Sequence, residues 1–436
     1  MGGEIRRFGE INQGQSSAVV LGAERIPDPT TAGDFCRRFV SEADVLTLMN
    51  AINESRLRVW AQQPDEFLDE AIVDADGTIT ETDAECKEGV DISHDGRWGY
   101  HVHLVSLANT GESLFLLNRS GNRPSQERAG EYMDKAVALC VRAGFRKILL
   151  RGDTRIAENK DLDRWDEQIL PRQGTTLAET ANLDSWDDAG NIRFIFGYAA
   201  YDVLKAKADE LPVQAYSFLE RPPRYAIKTT PRQQPERFKP EIVRERGYKT
   251  IHLLEEMIAE FDYQPVACKK SYRMIVLRKR LATDQGQMRL FEEYRYFFYI
   301  TNDRDMSAED IVFSANDRCN QENLIAQLKS GVHALTTPVD NLVSNWAYMV
   351  MASLAWNLKA WSAMLVPVSP RHEAKHEAEK RTLLRMEFAT YCAAFIQMPC
   401  QIVRGGRRLI YRMLSWNPWQ GVFLRLVERL HECWLC

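Results

Sequence analysis

The chain has 436 residues, 45% hydrophobic and 27% charged, with a formal net charge of −5. This length predicts two or three domains, and the composition excludes a disordered, collagenous or disulfide-stapled secreted chain. The negative balance counts against simple coating of nucleic acid, and the nine cysteines, scattered apart from a terminal Cys433-Trp-Leu-Cys436, point to a reducing cytosol.

The N-terminal text "MGGEIRRFGEINQGQSS" has no apolar signal core. Apolar residues at helical spacing predict helix from about Thr31 to Ala61, bracketed by Pro27, Pro29 and Pro64. Strand character starts at Ala71. "WGYHVHLVSLAN" (98–109) and "SLFLLNR" (113–119), joined through Gly111, then predict a β-meander. An amphipathic helix over 125–145 ends at Gly144, and "RKILLRGD" (146–153) is a short strand ending on an acid. "DLDRWDE" (161–167) and "NLDSWDD" (182–188) resemble one another and suggest a local duplication, and "RFIFGYA" (193–199) is a further strand.

Residues 215–303 alternate between strand-like and turn-like text, including "RYAIKTT" and "YRMIVLRKRL". From Ser307 to the end the text is helical, broken by Pro338, Pro367, Pro370, Pro399 and Pro418. The run Leu342–Val366 is apolar enough to imitate a membrane span. Asn345, Asn357 and Lys359 within it predict a buried helix instead. The element order gives an α/β fold with an inserted β-rich domain and helical N- and C-terminal parts. The expected divisions are 1–66 (helical), 67–210 (first part of the core), 211–304 (β-rich insertion), 305–366 (last part of the core) and 367–436 (helical).

Charge is unevenly spread. Residues 221–281 hold 15 Lys and Arg against 7 Asp and Glu, and 371–430 hold 11 against 5. An acidic body with two basic segments suits a metal site flanked by phosphate-binding surfaces. "RMIVLRKR" reads as a DNA-facing strand or a solvated sheet face, and "RGGRRLIYR" (404–412) as a contact to DNA phosphates. His101 and His103 read as structural, and Trp165, Trp186, Trp346, Trp356 and Trp361 as core.

Two acids, Asp74 and Asp76, end an apolar run in "IVDADGTIT" (72–80). The motif resembles the first motif of the haloacid dehalogenase phosphohydrolases, with Asp74 as nucleophile and Asp76 as acid and base. The late acids break that pattern: after Gly152-Asp153, position 157 is Ala and the next Asp is Asp161. A meander in place of a helix after the first strand is also foreign to a doubly wound sheet.

A second combination takes Asp76, Asp153 and Glu322 together. Glu322 lies in "SANDRCNQENLIAQLKSG" (314–331), read as one helix capped by Ser314 and stopped by Gly331. Arg318, Glu322 and Lys329 are spaced by 4 and 7, which at about 100° per residue puts all three on one helix face. An acid flanked by two cations can hold a metal while the cations hold phosphate.

This text resembles the Tyr-x(2)-Arg-x(3)-Glu-x(6)-Lys signature of the DDE insertion-sequence transposases. Arg318, Glu322 and Lys329 match, and Ala315 stands at the tyrosine position. "KEGVDISHDGRWGYHVHLVSLANTGESLFLLNRSGNRPS" (87–125), "ILLRGDT", "YFFYITND", "NWAYMVMASLAWNLKAW" and "WNPWQGVF" extend the resemblance across residues 20–430. It implies an RNase H-like core and a bacterial cytoplasmic, nucleoid-associated protein. It further implies a partnership with double-stranded DNA, at the element's ends and at the target, as a homodimer assembled on DNA and with no membrane.

The implied chemistry is strand cleavage and transfer with two Mg²⁺ ions, Mn²⁺ substituting, held by Asp76, Asp153 and Glu322, while Arg318 and Lys329 bind phosphates. Strand alternation puts Asp74 and Asp76 on one face. The family's acid is followed by a small residue and Thr, which selects Asp76 as the ligand and gives Asp74 a supporting place behind it. The alternative within the same resemblance is a truncated, inactive DNA-binding relative, with 75 residues before Asp76 and Arg155 after Asp153-Thr154.

Overall fold

Ser41 starts the first long helix. Its hydroxyl accepts from Asp44 N, and the Asp44 carboxylate accepts from Ser41 N (2.9 Å), a reciprocal cap on α2 (Glu42–Trp60). The expected single helix over 31–61 is therefore two: α1 (Pro29–Cys36) and α2, divided at this cap. The computed structural model describes residues 28–154, 156, 159–167, 192–221, 241–242, 245–246, 249–285, 288–405, 408–414 and 416–434. The second Trp-Asp stretch, with Trp186, and also Arg155 and "RYAIKTT", lie outside these. The described residues fall into two units, 28–148 with 320–434, and 149–167 with 192–319.

In the first unit, the expected meander forms from β1 (Ala71–Glu81), β3 (Trp98–Leu107) and β4 (Glu112–Ser120), with a short β2 (Asp91–Ile92). All pairings are antiparallel: β1 lies along one edge of β3, while β4 and β2 share the other. Gly111 turns the hairpin at φ 69°. Helix α3 (Ala129–Ala143) packs on β1, β3 and β4 and stops at Gly144, φ 93°.

The long apolar run is α8 (Leu342–Leu365), which runs antiparallel to β4: Trp346 Nε1 donates to Leu116 O, Trp356 Nε1 to Gly111 O (2.7 Å), and Asn357 holds Ser113 through both backbone groups. No single helix among the described residues is long and apolar enough to cross a membrane. Lys359, the charge inside α8, is buried and donates to Leu384 O and Met386 O (2.7 and 2.8 Å). Trp346, Trp356 and Trp361 are buried, as expected of core residues.

A charged cluster closes this core. The Arg56 and Glu112 side chains are both fully buried and pair at 3.0 Å. Glu112 also accepts from Trp60 Nε1 (2.9 Å), Trp361 Nε1 (2.6 Å) and Thr110 Oγ1 (2.6 Å). α2, β4 and α8 thus meet on one satisfied ion pair.

The second unit carries β5 (Ile148–Gly152) from Leu149 onward, then α4 (Asn159–Asp166), β6 (Ile192–Tyr198), α5 (Asp202–Glu210), β7 (Ser217–Phe218), β8 (Lys249–Tyr263), β9 (Tyr272–Gln285) and β10 (Met288–Thr301). The strand order is β5-β6-β10-β9-β8-β7, and α6 (Ala308–Asp317) packs on it. Trp165 is fully buried against Phe196. The β9 cations are spent on neighbouring strands: Arg273 pairs with Glu260, Lys279 with Glu256, and Arg280 with Glu255 and Glu292, while Arg278 lies between the rings of Tyr216 and Tyr294.

Two further expectations are corrected. The stretch 314–331 is not one helix. α6 starts at Ser307, whose hydroxyl caps Asp310 N, so Ser314 lies inside it. α6 ends at Asp317, with Arg318 as its C-cap. A new helix, α7 (Asn320–Ala326), follows and widens into a π turn, Gln327–Gly331.

Nor is the tail wholly helical. After α9 (Glu373–Arg385) and the short α10 (Phe388–Tyr391), β11 (Cys400–Gly405) and β12 (Arg408–Met413) form an antiparallel hairpin before α11 (Gln420–Trp434). Ile402, Val403, Ile410 and Tyr411, with Gly405-Gly406 between them in the sequence, are the strand signal that the prolines obscured.

Candidate functional site

Asp74 and Asp76 lie in the middle of β1, opposite Ser106 and Leu104 of β3. Asp74 is buried, and Asp76 is half-buried with Oδ1 accepting from Gly77 N (2.8 Å). Gly77 has a steric reason. A Cβ there would stand 2.6 Å from His101 Nε2, and the His101 ring is fixed by Nδ1 on Arg123 O (2.7 Å). His103, the residue paired with Gly77 across the ladder, is fully buried, and neither ring nitrogen finds a partner among the described residues. Burial, with Arg119 and His101 adding to it, pushes His103 down to about 3, so the ring is neutral. Both histidines are structural, as expected.

Glu322 sits exposed on the first turn of α7. The buried face of α7 and the π turn is Gln321, Leu324, Ile325 and Leu328. Gln321 is the polar member of that face, only 2% exposed, and its Nε2 donates to Asp74 O and to Leu104 O, both at 3.1 Å. Eight residues on, Lys329 donates from Nζ to Ile79 O (2.9 Å). Two hydrogen bonds therefore fasten α7 and its π turn along β1, the strand carrying Asp76. Lys329 is half-buried, and burial, then Arg97, lowers its pKa, while Glu81 opposes the shift.

Asp153 lies in the second unit, exposed, directly after β5, where the sequence put it. Its Oδ1 accepts from Thr154 N (2.7 Å) and Thr154 Oγ1 (3.3 Å). Thr154 leans on β6, since a Cβ on Gly197 would come within 2.9 Å of Thr154 N. Gly197 faces Tyr299 of β10 across the ladder. Burial pushes the Tyr299 phenol up to about 12. Cys319, Asp153 and Glu256 add to the rise and Arg221 opposes it. The β5 end is tied to α6 by Arg151 Nη1 on Ser314 O (2.7 Å).

Arg318 caps the C-terminus of α6 in the second unit, half-buried, and so does not share a helix with Glu322. The first unit thus brings the elements of Asp74, Asp76, Glu322 and Lys329 together. Among the described residues, no three His, Cys, Asp or Glu side chains are gathered as ligands of one metal ion. Mg²⁺ is commonly held by one or two carboxylates, with water and substrate phosphates completing the shell. The hard-oxygen donors of half-buried Asp76 and exposed Glu322 and Asp153 fit that cation in kind. The sequence reading missed Gln321. For Gln321 the signal was an amide in register with Leu324, Ile325 and Leu328.

No protein-family model matches this sequence, and no curated protein matches it. Among solved structures, the chain is similar to the piggyBac transposase of a synaptic complex with hairpin DNA, seen by cryo-electron microscopy, at 9% identity and a TM-score of 0.29. The similarity covers 75% of this chain, which spans little more than half (55%) of the other.

Proposed function

We propose that this chain is an insertion-sequence transposase that cuts and joins double-stranded DNA through an RNase H-like core. The observation that carries the reading is the bond from Gln321 Nε2 to Asp74 O (3.1 Å), which seats the Glu322 helix on the Asp76 strand. The resemblance asks for that pairing, and nothing in the local text of either segment requires it.

Asp76, Asp153 and Glu322 are the proposed ligands of two Mg²⁺ ions, which Mn²⁺ can replace. Bound there, the metal supplies a lowered pKa for an attacking hydroxyl and charge neutralisation at the phosphate. The chain's own part is positioning. Gly77 N and the Thr154 N–H and hydroxyl orient the Asp76 and Asp153 carboxylates, and the buried Asp74 stands two residues behind Asp76 on the same strand face. Arg318 and Lys329 are the proposed phosphate contacts, and a homodimer on DNA the proposed assembly.

The test is a linear DNA fragment carrying the sequences on either side of the reading frame, where this reading expects inverted repeats. Mg²⁺-dependent nicking at the repeat, lost in Asp153→Asn and Glu322→Gln, supports the proposal. Retarded migration without nicking would instead make the chain an inactive DNA binder. Hydrolysis of a simple phosphate ester, insensitive to Glu322→Gln, would restore the phosphohydrolase reading.

A further inference from the structure

We infer that Gln321 is a positioning residue for the Asp76–Glu322 carboxylate pair. The inference rests on the reading of these acids as metal ligands.

An amide on a buried helix face has a cost that leucine or methionine would not carry, so its hydrogen bonds must offset it. Here Nε2 bridges carbonyls of two adjacent strands, Asp74 O in β1 and Leu104 O in β3, at 3.1 Å each. The two acceptors fix the amide orientation, because a flipped amide would set its oxygen against two carbonyl oxygens. Gln321 Oε1 is buried and has no partner among the described residues. The two contacts with the strands are therefore the amide's whole return.

Leu324, Ile325 and Leu328 supply apolar grip along the same face, but apolar packing tolerates sliding and rotation that a pair of hydrogen bonds does not. Glu322 is the next residue after Gln321, and Asp76 is two beyond Asp74. The Gln321 bridge thus sets how far apart and at what angle the two carboxylates stand. The Lys329 bond to Ile79 O fixes the far end of the same segment. Groups that orient metal ligands from behind change affinity by about 10–100-fold when removed.

The experiment measures Mn²⁺ binding to the full chain without DNA, by the loss of the free-ion paramagnetic resonance signal, together with thermal unfolding. Gln321→Met keeps length and apolar packing and deletes the donor. It is expected to weaken Mn²⁺ binding about tenfold or more while remaining folded, with Asp153→Asn as a variant on the other unit for comparison. Wild-type Mn²⁺ affinity in Gln321→Met, alongside lost binding in Glu322→Gln, would overturn the positioning role and leave the ligand reading intact. Failure of the wild-type chain to bind Mn²⁺, or unchanged binding in Glu322→Gln, would overturn the ligand reading and this inference with it. Where Gln321→Met does not fold, Gln321→Asn, which draws the amide back by one methylene, takes its place with the same expectation. Unfolding of both variants would make Gln321 a residue of stability and overturn the inference.

Discussion

Lys329 turns back from the π turn and gives its ammonium to the carbonyl of Ile79, 250 residues earlier in the chain, at 2.9 Å. A lysine expected to meet DNA phosphate is also a fastening of its own helix. Lys329→Met is therefore expected to lower stability by about 1–2 kcal/mol, the value of a charge-assisted bond discounted for partial exposure. Equilibrium urea unfolding measures it, and an unchanged midpoint would show the bond to be idle.

The carboxylates carry the activity predictions. Asp76→Asn and Glu322→Gln each keep shape and remove charge. Each is expected to reduce nicking of repeat-bearing DNA by about a hundredfold or more, since metal-borne stabilisation is worth several kcal/mol. Stability should hold in Glu322→Gln because that side chain is exposed. Single-turnover cleavage and thermal melts, run side by side, separate the two effects.

His103 makes the fold sensitive to acid. In the folded chain its ring takes up a proton only near pH 3, held down by burial, Arg119 and His101. In the unfolded chain it does so near 6.5, so between these values the unfolded state binds more protons and stability falls as pH falls, by up to about 1.4 kcal/mol per unit. His101, also lowered by burial, acts in the same direction. Between pH 7 and pH 5, His103→Leu should lose about 2 kcal/mol less than wild type by denaturant titration. Parallel losses in both proteins would contradict the assignment.

Gly77 sits between the proposed metal ligand and His101. A methyl group there meets the imidazole at 2.6 Å, and the ring cannot retreat without giving up Arg123 O. Gly77→Ala should cost about 1–3 kcal/mol through overpacking. Most of that loss should return in the Gly77→Ala, His101→Ala pair. A double variant no more stable than Gly77→Ala alone would place the strain elsewhere.

Glu112 is the fully buried partner of Arg56. Glu112→Gln leaves a buried guanidinium without its counter-charge, an expected loss of about 3–5 kcal/mol. Chemical denaturation gives the number, and a loss under about 1 kcal/mol would mean that Arg56 is neutralised by another route.

Much of this molecule is written locally. The β1–β3–β4 meander, the Gly144 stop, the buried run in α8 and the placing of Asp153 at a strand end all follow from apolar period and turn residues. Asp76, read as the end of the first strand, stands mid-strand instead, because β1 runs on to Glu81. The same local text misled where two signals overlapped. The Arg318, Glu322 and Lys329 spacing looked like one helix face, yet Ser307 capped an earlier helix and the chain restarted at Asn320. Prolines near the end hid the hairpin at 400–413.

Only the tertiary structure could decide that Gln321 belongs to Asp74 and Lys329 to Ile79. Hydrophobic period records which face of an element is buried. It does not record which backbone carbonyls, some 250 residues away, that face will meet, because that pairing is settled only when the elements pack and every buried donor must find an acceptor.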